Sequence, residues 1–165
     1  MKTAALATLV WLGGPATAAD WTLRLDGIGP LRIGMRFDEA NAAVGSRLAA
    51  SDPSLQASPG CDEIPLPMHP GVSLMFIDGV LKRVDVFAAG TRTANEIAVG
   101  DPVARVHAIY PRARREDHFY NSAEQYLTVD SADSRYSLRF ETEGGKIAHF
   151  YAGAREQVRY VEGCL

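Results

Sequence analysis

Cysteine is scarce in this chain: 2 among 165 residues, beside 2 tryptophans and 4 histidines. So few cysteines exclude a disulfide-dense scaffold, and their wide spacing excludes the close ligand pairs of structural zinc sites. Neither charge sign dominates. With 17 basic and 20 acidic residues the formal net charge is −3, which leaves no basic excess for a nucleic-acid partner. Glycine and proline number 15 and 9, too few and too scattered for a collagen-like or low-complexity chain. No apolar run reaches the roughly 20 residues of a membrane-spanning helix, which argues against stable membrane insertion. The motifs that announce chemistry are missing as well: no GxSxG elbow, P-loop, GxGxxG or HExxH occurs. His69, His107, His118 and His149 stand at no metal-ligand spacing. No catalytic residue, metal or cofactor is assigned. What is present is ordinary, 47% hydrophobic and 22% charged residues, a composition that forms a globular core.

The first 19 residues read as an address. Lys2 is a short positive region, Ala4 to Leu12 an apolar run, and Gly13-Gly14-Pro15 a break before the small residues Ala16-Thr17-Ala18. That order is a secretory signal peptide cleaved after Ala18 or Ala19. No cysteine stands at the junction to take a lipid. The expectation is a soluble periplasmic or secreted protein.

Both cysteines, Cys61 and Cys164, lie in the mature part. In an oxidising compartment two cysteines read most simply as one disulfide, and two buried free thiols are the alternative. A bond would pin the C-terminal tail to a loop of the first half.

Shifted by 66 residues, the chain lies over itself. Leu31-Arg32-Ile33-Gly34 falls on Ile97-Ala98-Val99-Gly100, Gly79 on Gly145, Leu81 on Ile147 and Val84 on Phe150. Internal similarity of this kind decides architecture. Each unit opens on an extended segment, Trp21 to Leu25 or Phe87 to Val99, and a glycine then releases the chain into a helix. In the second, Asp101 suits the N-cap and Pro102 the first helical position, while Val103, Val106, His107 and Tyr110 form one face. Phe37, Ala40, Asn41 and Val44 are their counterparts in the first. A strand meander follows each helix. Val72 to Ile77 and Val80 to Phe87 flank Asp78-Gly79; Arg135 to Phe140 and Lys146 to Tyr151 flank Gly144-Gly145, with Tyr126 to Val129 before them. Ser51 to Pro70 is an irregular loop or edge strand. The expected fold is α+β, with two tandem helix-plus-antiparallel-meander units fused into one domain. Residues 20–86 and 87–154 are the units, after the 1–19 signal peptide and before a 155–165 tail.

Leu31-Arg32-Ile33-Gly34-Met35, Ile97-Ala98-Val99-Gly100-Asp101 and the hairpin glycines Gly79 and Gly145 resemble the tandem units of the β-lactamase-inhibitor-protein fold. They also resemble the single unit of BamE (SmpA-OmlA) envelope proteins. The resemblance covers most of residues 21–154. It implies action by protein–protein contact, although the lipoprotein members carry an anchoring cysteine that this chain lacks.

One basic cluster stands out, Arg112, Arg114 and Arg115, followed by Phe119 and Tyr120. It reads either as a positive loop with aromatics that touches a partner or as a solvated loop answered by Glu116 and Asp117. His107 is expected to pack on its helix face, His149 to point outward from a strand, and the pairs Asp62/Glu63 and Glu141/Glu143 to be solvated. The expected function is an exported, non-catalytic module binding another envelope or extracellular protein. The alternative is an exported hydrolase or small-ligand protein whose site is assembled only in space.

Overall fold

The computed structural model describes residues 20–56 and 58–164. The segment 1–19, read as a signal peptide, therefore lies outside the described residues, as does Leu165. Three two-residue strands come first, β1 (Leu23–Arg24), β2 (Gly27–Ile28) and β3 (Leu31–Arg32), and form a small antiparallel sheet. Helix α1 (Phe37–Ala43) follows, then β4 (Cys61–Pro65), β5 (Val72–Ile77) and β6 (Val80–Val86). Helix α2 (Val103–Ile109) leads into β7 (Arg114–Asp117), β8 (Gln125–Asp130), β9 (Tyr136–Glu143) and β10 (Lys146–Ala154). Strands β4 to β10 form one antiparallel sheet in the order β4-β5-β6-β10-β9-β8-β7. The architecture is α+β, as expected.

Alternation along the strands separates two faces. Leu74, Leu81, Val84, Val86, Phe140 and Phe150 point to one face, where they join Ala40 of α1 and Val106 of α2 in a single buried cluster. A helix of two turns cannot bury an apolar stripe alone, so both helices lie on this face. The opposite face carries Arg83, Asp85, Arg139 and Tyr151, all buried although three are charged.

Three backbone hydrogen bonds between a helix opening and a hairpin recur along the chain. Gly34 N–H donates to Leu81 O at 2.8 Å, and Gly100 N–H to Ile147 O at 2.8 Å. Phe37 N–H donates to Gly79 O at 2.8 Å, and Val103 N–H to Gly145 O at 3.0 Å. Leu81 N–H returns a bond to Met35 O, and Ile147 N–H to Asp101 O. Each second partner stands 66 positions after the first. The β5–β6 hairpin carries a bulge at Lys82 and the β9–β10 hairpin one at Ala148, again 66 apart. At the junction Val84 pairs with Ala152 and Val86 with Phe150, around the central pair Asp85 and Tyr151, which is the pattern of a local two-fold axis.

Several local expectations need correction. Arg114 to Asp117, read as part of a loop, is the edge strand β7, and its charged alternation hid it because an edge strand needs no apolar face. Phe87 to Val99 is not a continuous strand: only isolated bridges, Leu23 with Thr93 and Arg92 with Ala98, remain, because Gly90 and Glu96 adopt positive φ. The first strand is shorter than Trp21 to Leu25. Pro102, not Asp101, caps α2, since the Asp101 carboxylate accepts from Ala98 N–H at 2.9 Å in the preceding turn. His107 is exposed: Val106 is the buried member of that helix, with Ile109 and Tyr110 beside it.

Candidate functional site

The face away from the helices is built from long-range pairing. The bulge at Ala148 sets His149 opposite Glu141, and β8 sets Tyr126 on the other side of Glu141. Glu141 thereby becomes a hub. Tyr151 Oη donates to Glu141 Oε1 at 2.9 Å, and His149 Nδ1 lies 3.8 Å from the same oxygen. His118 Nε2 lies 3.4 Å from Glu141 Oε2, while its Nδ1 accepts from Tyr120 N–H at 3.2 Å. On the far side His149 Nε2 faces Asp85 Oδ1 at 3.4 Å. Neither of those two atoms has a hydrogen-bond partner of good geometry, although both are buried. The expected solvated pair therefore splits: Glu143 is exposed, whereas Glu141 is partly buried amid two histidines and a tyrosine. Asp62 also departs from the solvated reading: it is buried and accepts from Ser51 N–H at 2.9 Å. His149 does point away from the core, yet it is stacked on Phe87 at 4.1 Å between ring centroids and only partly exposed.

Two arginines complete the belt. Arg83 Nε meets Asp85 Oδ2 at 2.9 Å, and its guanidinium lies 4.6 Å from the Tyr151 ring centroid. Arg139 Nη2 meets Glu116 Oε2 at 2.8 Å and lies over Tyr126 at 4.7 Å. Burial, and then the charge of Glu141, holds the Tyr151 hydroxyl far above its ordinary pKa, so it stays a donor. Burial raises Tyr126 as well. The belt can hold charge and fix the strands in register. Both ring nitrogens of His118 and of His149 face protein groups. Among the described residues no group of three His, Cys, Asp or Glu side chains is placed to hold a metal ion.

The belt is roofed at one end by the C-terminal tail. Arg83 Nη1 donates to the carbonyls of Gln157 and Tyr160, both at 3.0 Å, and Val158 is fully buried. The tail then runs to β4, where Cys164 is bonded to Cys61 with Cα atoms 5.4 Å apart. The expected disulfide is present. Between this tail and the loop after β7 lies a pocket of about 510 Å³. Phe119, Tyr120, Tyr160 and Val161 line it, together with the disulfide itself. Phe119 is 71% exposed and Tyr120 61%, and their rings meet edge to face at 4.9 Å.

The five residues singled out as a partner-contact cluster are divided by the fold. Phe119 and Tyr120 line the pocket just described. Arg112 and Arg114 line a second pocket of about 510 Å³, beyond the end of α2 and beside Asp130. Arg115 is exposed on the edge strand. Arg114 is already paired with Glu116 and approaches Asp130 at 3.9 Å. Tyr160 and Val161, which complete the aromatic pocket, were not singled out. The one hint available was the cysteine three residues beyond Val161, since a pinned tail must lie on something.

No family model matches this sequence, and no curated protein matches it. A solved structure of a DUF4309 family protein, YjgB, from Bacillus subtilis is similar in fold. It superposes with a TM-score of 0.50 at 16% sequence identity, covering 84% of this chain and 90% of that one. At that identity the likeness concerns the fold alone.

Proposed function

We propose that this chain is an exported, non-catalytic module that binds another protein through the pocket between the Phe119–Tyr120 loop and the C-terminal tail. One observation carries the reading. Of the six exposed large apolar side chains among the described residues, four line that pocket, namely Phe119, Tyr120, Tyr160 and Val161. Scattered exposed apolar residues need no explanation, but a cluster around a concavity is the anatomy of an interaction hot spot. The disulfide supports export to a periplasmic or extracellular setting, where such bonds persist. No helix of the described residues is long and apolar enough to cross a membrane.

The tandem organisation belongs to the same proposal. Glycine-to-hairpin bonds, bulges and junction pairs that recur 66 residues apart support two copies of one unit, residues 20–86 and 87–154. On this reading the loop carrying Phe119 and Tyr120 and the tail are departures from the repeat, and both contribute to the pocket.

A second reading, an exported hydrolase or small-ligand protein, draws on the unpartnered His149 Nε2 and Asp85 Oδ1. It ranks lower because these atoms face each other and not the pocket, which neither residue lines.

The mature chain, immobilised and exposed to envelope extract and culture medium of its own host, tests the proposal. A specific protein should be retained by the wild type and lost, by at least tenfold, from Phe119→Ala/Tyr120→Ala. Equal retention by both chains would overturn the assignment of the pocket.

A further inference from the structure

The C-terminal tail is fixed at two points with little between them. At its near end Val158 is buried, and Arg83 holds the Gln157 and Tyr160 carbonyls. At its far end the Cys61–Cys164 bond and a 3.3 Å hydrogen bond from Cys164 N–H to Glu63 Oε1 tie it to β4. Among the described residues, the backbone groups of Val161, Glu162 and Gly163 make no hydrogen bond. Yet the stretch from Tyr160 to Cys164 forms one whole side of the aromatic pocket. Its non-covalent ties to the sheet are Arg83 on the Tyr160 carbonyl and Glu63 on Cys164 N–H, with both side chains close against Gly163, and loop closure by the disulfide is its one covalent restraint.

We infer that the Cys61–Cys164 disulfide gates this pocket, which receives an apolar side chain only while the bond is formed. The inference rests on the reading of the pocket as the binding site. Cys61 is buried on β4, whereas Cys164 is partly exposed at the end of the tail, so Cys164 is the residue a reductant reaches first. The co-reactant is a dithiol reductant. Its thiolate attacks Cys164 Sγ, the S–S bond breaks, and Cys61 leaves as the thiolate and takes up a proton. The second thiol of the reductant then attacks the mixed disulfide and releases Cys164. Two electrons pass to the protein, the dithiol becomes a disulfide, and the covalent tie between Cys164 and β4 is gone. The event touches the sheet only at the start of its edge strand β4, and neither Cys61 nor Cys164 belongs to the buried cluster beneath the helices. Reduction therefore removes a wall and leaves the scaffold.

Indole serves as the probe, a stand-in for an apolar anchor side chain. It is titrated into three samples: the oxidised mature chain, the same chain reduced with dithiothreitol, and C61S/C164S. The methyl signals of Ile77 and Val161 report the pocket, and amide signals of β6, β9 and β10 report the fold. Saturable methyl shifts are expected in the oxidised chain, with at least tenfold weaker binding in the other two and strand signals unchanged. Equal affinity in all three would overturn the gate and leave the pocket standing. An absence of saturable shifts in the oxidised chain would overturn both. Loss of the strand signals on reduction and in C61S/C164S alike would also overturn the gate, because the bond would then hold the whole fold and not one wall.

Discussion

Arg83 is the side chain on which the polar face and the tail both depend. It pairs with Asp85 at 2.9 Å, stacks on Tyr151 and reaches two tail carbonyls, all at about 4% exposure. Removing one partner of a buried pair strands the other, at a cost of roughly 3–5 kcal/mol. Arg83→Met should lose about that much in urea unfolding, whereas Arg83→Met/Asp85→Leu should regain most of it. A loss below about 1 kcal/mol in the single variant would show that Asp85 is solvated and the pair unimportant. Glu124 provides the pH counterpart. Its carboxylate accepts from Thr142 Oγ1 at 2.7 Å and from Gly144 N–H at 2.8 Å, and these bonds, Thr142 first, hold its pKa below the ordinary 4.5. A lowered folded pKa means that the stabilisation is complete above pH 4.5 and fades as the pH falls through the folded value. Thr142→Val should move the Glu124 carboxyl titration upward when followed by its side-chain carbon shifts. An unmoved midpoint would assign the shift elsewhere.

At the scale of elements, what the sequence disclosed and what it hid follow one physical division. Hairpins at Asp78-Gly79 and Gly144-Gly145 and the glycine openings of both helices were legible because they depend on a few adjacent residues. The Glu141 hub was not, since it needs strands β7 to β10 in register and a bulge that slips β10 by one residue. An unbulged hairpin would set Glu141 against Ala148 instead of His149. Strand β7 was hidden for another reason: Arg-Arg-Glu-Asp has no apolar member to betray its period. The two glycines that open the helices give a direct comparison of the halves. Gly34 has φ +98° and Gly100 φ +91°, and a Cβ at either would meet nothing within 4 Å. A side chain there would add backbone strain and no clash, about 1–3 kcal/mol. Gly34→Ala and Gly100→Ala should therefore destabilise by the same amount, within about 0.5 kcal/mol, in paired denaturation curves. A large difference would mean that the matching bonds to Leu81 and Ile147 do not make the two openings equivalent.

On the scale of the whole molecule, two of the links between the halves can be separated by experiment. One is the β6–β10 seam, where Val84, Val86, Phe150 and Ala152 pair across the local two-fold axis and are almost wholly buried. The other is the disulfide, with one cysteine in the first half and the other in the tail after the second. Parting the seam would expose those four side chains together with two rows of unpaired backbone groups, which is a stronger tie than the connecting loop supplies. That loop, Phe87 to Gly90, is exposed, so a protease site placed after Ala89 can be cut without touching the core. Once cut, the oxidised protein should unfold and refold as one covalent species, with a midpoint independent of protein concentration. Cut and reduced, it should still run as a one-to-one complex under native conditions, because the seam persists, and its midpoint should now rise with concentration. If the reduced halves separate on dilution to micromolar concentration, or if either folds alone, the seam is not what makes one domain of the two. The same sample separates the two links: the seam sets association, whereas the disulfide, lying outside the core, should matter to the tail and to whatever enters the pocket beneath it.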